Sequence, residues 1–395
     1  MKVLKFGGAS VGSIKSLQQI KRIVDAEREP VVVVVSAVDG VTDLLIEATS
    51  LAAQGNASYK QTLGKIVSIH DDLTSAVSSC SCSDTNAKLD VLHEELQNIL
   101  KGVYLIKDLT SKTEDAILSY GERISALIVG GFLNAQVLDA RDFIKTNDAL
   151  GHVNVDFELT YRLVKEEYSK VSKSLVVVPG FSASDADTAD VTTLGRGGSD
   201  YTAALVAAAL GASEIQIWKS TDGFMTADPS VISKSYKIEH LSYSEAMELC
   251  NFGAEVLFPP TIYPACVANI PIQLMNINNS EVKGTLISSD VKDERTIKGI
   301  SSIENTALVT IQGMGMMNVH NVNGRIFMKL DYNDIHTFFV SQASSGSSIS
   351  IGVQSDAAEQ VMDLLGEEFA EEMGLLGVVK DDEVIAAVKQ AIDEN

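Results

Sequence analysis

Cysteine is scarce, with four in 395 residues, at positions 80, 82, 250 and 266. Cys80 and Cys82 stand one residue apart in a serine-rich stretch, and no His or Cys pair follows at zinc spacing. A disulfide framework and a zinc module are therefore not expected, and all four read as reduced thiols. Basic residues are also short: 31 Lys and Arg stand against 53 Asp and Glu, a formal net charge of −22. Such a chain repels nucleic acid and anionic membrane, which argues against a polyanionic partner. An anionic small substrate then needs a local cluster of positive groups. No apolar run approaches membrane-spanning length, and no charged segment with an apolar core precedes the first strand. The expected location is the cytosol.

What is present is a chain 45% hydrophobic, suited to two or three domains with a sizeable core. Residues 3–6 read as a short buried strand running into glycines, and residues 16–27 as a helix with Leu17, Ile20, Ile23 and Val24 on one face. The run PVVVVVSA (residues 30–37) reads as a central parallel strand covered on both faces. Residues 42–53 look helical, and residues 58–109 are polar and helix-like with a break near Cys80. Helix 114–134, strand 135–139, helix 156–172, strand 175–179, helix 199–210 and strand 214–218 follow. This alternation predicts an α/β domain with a mainly parallel sheet, whose ligands bind beyond the carboxyl ends of the strands. A charged linker is expected over 286–298. Beyond it, strand 306–312, helix 318–332, strands 336–341 and 348–353 and helix 357–372 suggest a small ferredoxin-like unit.

Five stretches carry the chemistry. In KFGGASVGS (residues 5–13), Gly7 and Gly12 have the separation of the phosphate pattern G-x-x-x-x-G-K-[ST]. Ser13 and Ile14 stand where that pattern needs lysine and a hydroxyl, and Lys5 precedes the glycines. Glycines let amides approach an anion closely and a helix start adds positive charge; a plain βα turn accounts for Gly-Gly equally well. TLGRGGSDYTAAL (193–205) again sets glycines at a helix start, with Ser199 as N-cap and Asp200 in the first turn. Arg196 between the glycines could clamp a carboxylate at two points. SAVDGVTD (36–43) offers the hydroxyls of Ser36 and Thr42, as ligands or as caps. In LSYGERISA (118–126), Glu122 and Arg123 are either a solvated pair or a carboxylate aimed at a ligand ammonium. WKSTDGFMTADP (218–229) is a turn-rich loop whose aspartates could face a nucleotide or metal. SASDADTAD (182–190) lacks the central Gly and closing Glu of a calcium loop and reads as a mobile, solvated loop.

Together these pieces resemble the aspartokinases of the amino acid kinase family over nearly the whole chain. KFGGASVGS resembles the family's opening signature, TLGRGGSD its second, and SYGERISA its S-x-G-E helix. LSYSEAMEL…FGAEVL…PTIYP (241–264) resembles a stretch particular to aspartokinases, and GMGMMNV…GRIF…VSQASSGSSISIGV their first ACT unit. The resemblance implies a three-layer α/β/α, carbamate kinase-like catalytic domain over 1–285, a linker over 286–298 and an ACT-like regulatory domain over 299–395. It implies transfer of the γ-phosphoryl of ATP, with Mg²⁺, to the side-chain carboxylate of L-aspartate. Lys5 would contact the transferring phosphoryl group and Asp200 would organise that lysine. Ser36, Thr42, Glu122, Phe181, Arg196 and Ser199 would surround aspartate, with Arg196 on a carboxylate and Glu122 on the ammonium. Gly7, Gly8 and Gly198 would supply backbone contacts. Lys219, Ser220, Asp222, Met225, Asp228 and Glu255 would lie on the nucleotide side. No residue is assigned as a metal ligand.

The sequence departs from the family on that nucleotide side. Lys219 and Ser220 replace the usual Thr and Asp, Ser230 replaces an arginine, and Glu255 stands where a lysine normally meets phosphate. Either Lys219 supplies the missing charge in an active enzyme, or nucleotide preference has shifted, or the chain is a catalytically weak amino acid sensor. Another amino acid kinase is the remaining enzyme alternative. The second ACT unit looks incomplete, ending GVVKDDEVIAAVKQAIDEN, and dimerisation through the ACT region is expected. A lysine or threonine effector would sit near Met316, Met317, Asn333, Ile335 and Gln342, although core packing explains the two methionines equally well.

Overall fold

The computed structural model describes residues 1–77, 83–149, 152–291, 293, 295, 297–312, 321–344, 348–370 and 375–380. Two compact units divide the chain, the first running to Ile300 apart from a short insertion at Asn251–Gly253, the second from Ser301.

The first unit begins with β1 (Lys2–Phe6), the single turn α1 (Gly8–Val11), α2 (Ile14–Ala26), β2 (Val31–Val35) and α3 (Val41–Ala53). Two long helices, α4 (Tyr59–Val77) and α5 (Ser83–Ile106), precede α6 (Ser111–Leu133) and β3 (Gln136–Val137). Next come β4 (Lys145–Ala149), β5 (His152–Val155), α7 (Phe157–Ser169), β6 (Leu175–Pro179), β7 (Ser182–Asp185), β8 (Val191–Thr193), α8 (Gly198–Leu210) and β9 (Glu214–Lys219). The unit closes with β10 (His240–Leu241), α9 (Tyr243–Asn251), α10 (Ile262–Val267), β11 (Ile272–Asn276) and β12 (Lys283–Ile287).

Eight strands form one sheet in the order β10-β12-β11-β9-β1-β2-β6-β3. All its pairings are parallel except β11 with β12. The valines of β2 show why it is central. Val31, Val33 and Val35 enter one core, with residues of α2 to α6, while Val32 and Val34 enter the other, with α7 to α10. Side chains alternate across a strand, so a strand apolar at every position needs helices on both faces. Each such buried valine contributes about 1.5–3 kcal/mol gross. The result is three layers, α/β/α, as the family resemblance implies.

A second sheet, β5-β4-β7-β8, was not anticipated. It corrects the reading of residues 182–190 as a solvated loop. Ser182–Asp185 and Val191–Thr193 are antiparallel strands, and Asp185 closes the turn between them by accepting from the Asp187 and Thr188 amides and the Thr188 hydroxyl. α6 is long and apolar enough to cross a membrane by composition alone, contrary to expectation, yet 67% of its most apolar window is buried inside the unit; it is a core helix.

The charged segment after β12 is partly tied down within the first unit. Lys298 pairs with Glu245 at 2.8 Å, and the Ile300 amide donates to Thr226 O. The second unit comprises β13 (Thr306–Gln312), α11 (Val322–Asp331), β14 (Phe339–Gln342), β15 (Ser348–Gln354), α12 (Ala358–Glu368) and β16 (Leu375–Lys380). Its sheet order is β14-β15-β13-β16, antiparallel throughout, the ferredoxin-like βαββαβ arrangement. Residues 375–380, which include the Gly-Val-Val read from the sequence as part of a shortened second ACT unit, supply the fourth strand of this same sheet.

Candidate functional site

Four neighbouring strands, β9, β1, β2 and β6, point their carboxyl ends at one cavity of about 400 Å³. β1 delivers Lys5 and leads into Gly8, β2 leads into Ser36 and Thr42, β6 leads into Phe181, and β9 ends at Lys219. α8 supplies Gly198, Ser199 and Asp200, the loop before it Arg196, and α6 Glu122. Every residue assigned to aspartate thus lines one cavity, together with Lys5, Gly8, Gly198, Asp200 and Lys219.

An ion cluster forms its floor. Asp200, buried at the first turn of α8, lies 2.7 Å from Lys5 Nζ through Oδ1 and 3.2 Å from Lys219 Nζ through Oδ2. Lys219 also donates to Val256 O. Burial pushes the Asp200 carboxyl up, and the two ammonium groups outweigh it, holding the group below the usual carboxylate range. Two lysines on one carboxylate leave a net positive charge within a chain of −22. Lys5 projects from a central strand and is only 8% exposed at its side chain, so its position is set by the sheet.

Glu122 lines the same cavity and is 5% exposed, which excludes the solvated-pair alternative. Burial raises its pKa to about 7 against the lowering effects of backbone amides at Ala37 and its own residue and of Lys5. Its Oε2 is buried without a hydrogen-bond partner. Arg196 is exposed at the rim and, among the described residues, holds no ion pair.

The backbone is shaped for close approach. A Cβ on Gly8 would stand 2.9 Å from Ala37 O and 3.4 Å from Asp39 Cα, so only glycine lets the β1 turn meet the β2 turn. The N-cap of α8 is Gly197, at φ +76°, not Ser199; Ser199 lies inside the first turn, and its hydroxyl is left for the cavity. Phe181 holds φ +65° in a tight turn closed by Ser182 N–H to Gly180 O at 2.6 Å, and its own amide donates to Thr202 Oγ1. Sequence reasoning left Asp39, Gly40 and Asp43 unassigned, although they line the cavity too; all lie in the quoted SAVDGVTD.

The remaining nucleotide-side candidates do not line this cavity. Ser220 and Glu255 are exposed. Asp222 accepts from Asn276 Nδ2 at 2.7 Å, Met225 bridges to Lys237, and Asp228 caps the turn at Ser230. Gly7 flanks the cavity, with Lys5 Nζ 3.7 Å from where its Cβ would be. Among the described residues no three His, Cys, Asp or Glu side chains gather to hold a metal. Cys250 and Cys266 are free thiols; Cys80 and Cys82 lie outside the described residues. In the second unit, Gln342 accepts from Asn323, Asn333 donates to Lys329 O, and Ile335 packs on the core. Met316 and Met317 lie outside the described residues.

The chain is similar to known proteins over most of its length. Residues 1–276 match the model of the amino acid kinase family and residues 309–369 that of an ACT domain. The chain is 30% identical to aspartokinase 3, chloroplastic, of Arabidopsis thaliana over 95% of its own length and 69% of the relative's. It is 29% identical to the bifunctional aspartokinase/homoserine dehydrogenase 1 of the same plant, over 98% of its length and 45% of the relative's, so it spans about half of such bifunctional proteins. Among solved structures, E. coli aspartokinase III in complex with aspartate and ADP (R-state) superimposes with a TM-score of 0.81 at 27% identity, covering 96% of this chain and 85% of that one. The same enzyme in complex with lysine and aspartate (T-state) gives 0.74 with the same coverage. By its sheet, its cavity and these matches, the chain belongs to the amino acid kinase family, among the aspartokinases.

Proposed function

We propose that the chain transfers the γ-phosphoryl group of MgATP to the side-chain carboxylate of L-aspartate, giving 4-phospho-L-aspartate and ADP. The observation that carries this reading is the Lys5–Asp200–Lys219 cluster in one cavity with Arg196 and the unpartnered Glu122 oxygen. The similarity to an enzyme solved with aspartate and ADP supports it. Arg196 takes the α-carboxylate and Glu122 the ammonium, leaving the side-chain carboxylate toward Lys5. That carboxylate is already ionised, so no general base is needed. Its oxygen bonds to the γ-phosphorus as the bond to the β,γ-bridging oxygen breaks, and ADP leaves with the electron pair. Lys5 and the amides at the start of α8 neutralise charge spread over the phosphoryl oxygens, so catalysis is alignment plus electrostatics. Asp200 holds both lysines in place. With Asp200 engaged by two ammonium groups, Mg²⁺ arrives on the nucleotide phosphates, as part of the substrate.

The second unit reads as a lysine- or threonine-responsive regulatory domain, consistent with a structural relative solved with lysine. Edge strand β14 exposes Phe339 and Val340 and supports homodimerisation through this unit. The test is ADP release from MgATP with L-aspartate, L-glutamate or N-acetyl-L-glutamate, each with and without lysine or threonine. Release with aspartate alone is expected. A folded protein that binds aspartate but releases no ADP overturns the kinase reading in favour of a sensor.

A further inference from the structure

A second cavity, of about 890 Å³, opens on the other side of α6. Its walls are α5, through Lys88, Val91 and Leu92; α6, through Arg123 and Leu127; and the edge strand β3, through Val137. The substrate cavity does not share these side chains. Glu122 and Arg123 are successive residues about 100° apart on the helix, so one faces each cavity. This separates the two charges that the sequence offers as a pair.

Arg123 is only 13% exposed, with its guanidinium carbon 4.4 Å above the Tyr120 ring. Among the described residues it reaches carboxylates only at long range, Glu95 at 3.8 Å and Asp139 at 3.9 Å. Asp139, a carboxylate that also lines the cavity, is already engaged by Arg141, which approaches it at 2.6–3.2 Å and offsets its charge. Lys173, also on the wall, donates to the carbonyl and side-chain oxygens of Asn134, neither of which neutralises it. A loosely paired guanidinium and an exposed ammonium group therefore stand beside the apolar side chains of Val91, Leu92, Leu127 and Val137 in a chain of −22. A cavity with apolar walls and a few convergent polar groups is what small-molecule sites look like, and arginine is suited to planar anions.

We propose that this cavity is a second ligand site, which takes a small organic anion with an apolar body. The anionic group lies on Arg123 and Lys173, and the body lies against Val91, Leu92 and Leu127. The proposal does not depend on the kinase reading, because its test reads binding. Fluorescence titration with 8-anilinonaphthalene-1-sulfonate, one apolar ring system with one anionic group, is the measurement. Saturable binding of one probe per chain, not displaced by L-aspartate, is expected. Arg123→Gln weakens it about tenfold or more, the loss of a charge-assisted contact. Leu127→Trp sets a larger ring where the apolar body lies and weakens it several-fold, and Lys173→Gln weakens it several-fold should the arginine variant fail to fold. Non-saturating binding, displacement by L-aspartate, or unchanged affinity in folded Leu127→Trp would each overturn the proposal.

Discussion

Lys219 is the residue on which the nucleotide side turns. Its ammonium lies 3.2 Å from Asp200 Oδ2 and is 27% exposed at the side chain. At an effective dielectric of about 20, two charges at that distance attract by roughly 5 kcal/mol gross. Desolvation and the partial exposure of Lys219 reduce the net figure to about 1–3 kcal/mol. Lys219→Met leaves Asp200 on Lys5 alone, so the fold survives with a modest stability loss. The larger effect falls on turnover. Loss of one preorganised positive group from the phosphoryl site costs on the order of 10²-fold in kcat, with the KM for ATP raised and aspartate binding unchanged. Steady-state ADP release with separate ATP and aspartate titrations reads all three. Glu255→Lys in the Lys219→Met background restores part of the loss, because it returns a lysine to the position where the family resemblance implies one. Kinetics of Lys219→Met within threefold of the parent, with an unchanged KM for ATP, would refute the reasoning.

Three further outcomes follow from other residues. Glu122, with its pKa raised to about 7 chiefly by burial, binds an ammonium only when ionised, so the KM for aspartate falls as pH rises through 7. Glu122→Gln flattens that profile and raises KM, and a pH-independent parent enzyme would refute the assignment. His70 is buried beside His93, with ring nitrogens 3.1 Å apart, and its pKa is lowered to about 3 by burial and by its neighbour. The unfolded chain takes up this proton below about pH 6.5 while the folded one resists until about 3. Stability is therefore lost across that window, by on the order of 4 kcal/mol at its acid end. Urea midpoints from pH 7 to 4 should fall less for His70→Leu than for the parent. Gly8→Ala drives a methyl group into Ala37 O at 2.9 Å and should cost about 1–3 kcal/mol of stability together with most of the activity, both read on the purified variant.

Much of this was legible because three of the five chemical motifs follow the buried parallel strands β1, β2 and β9. A run such as VVVVV has one comfortable place in an α/β fold, and once β1, β2, β6 and β9 lie side by side, Lys5, Ser36, Phe181 and Lys219 must meet. The small second sheet was hidden for the converse reason. KTNDA and SASD carry no apolar alternation; each pairs with the strand that follows it, but the β4–β7 pairing that makes one sheet joins residues far apart in sequence. Ser199 reads as the N-cap by propensity, but Gly197, free to adopt φ +76°, takes that place and frees the hydroxyl. The direction of Arg123 depends on the exact phase of α6, which one charged dipeptide cannot reveal.

The turn at Phe181 has a consequence for how the cavity can be dissected. At φ +65° a side chain is held in a conformation that glycine adopts freely and other residues resist by about 1–2 kcal/mol. Phe181→Ala removes the ring and keeps the resistance, whereas Phe181→Gly removes both. Subtracting one variant's stability from the other's cancels the aromatic contribution and leaves the tension of the main chain, offset by the greater freedom of glycine in the unfolded chain. The same wall residue thus serves as its own internal standard, separating what the cavity owes to an aromatic surface from what it owes to a bent backbone.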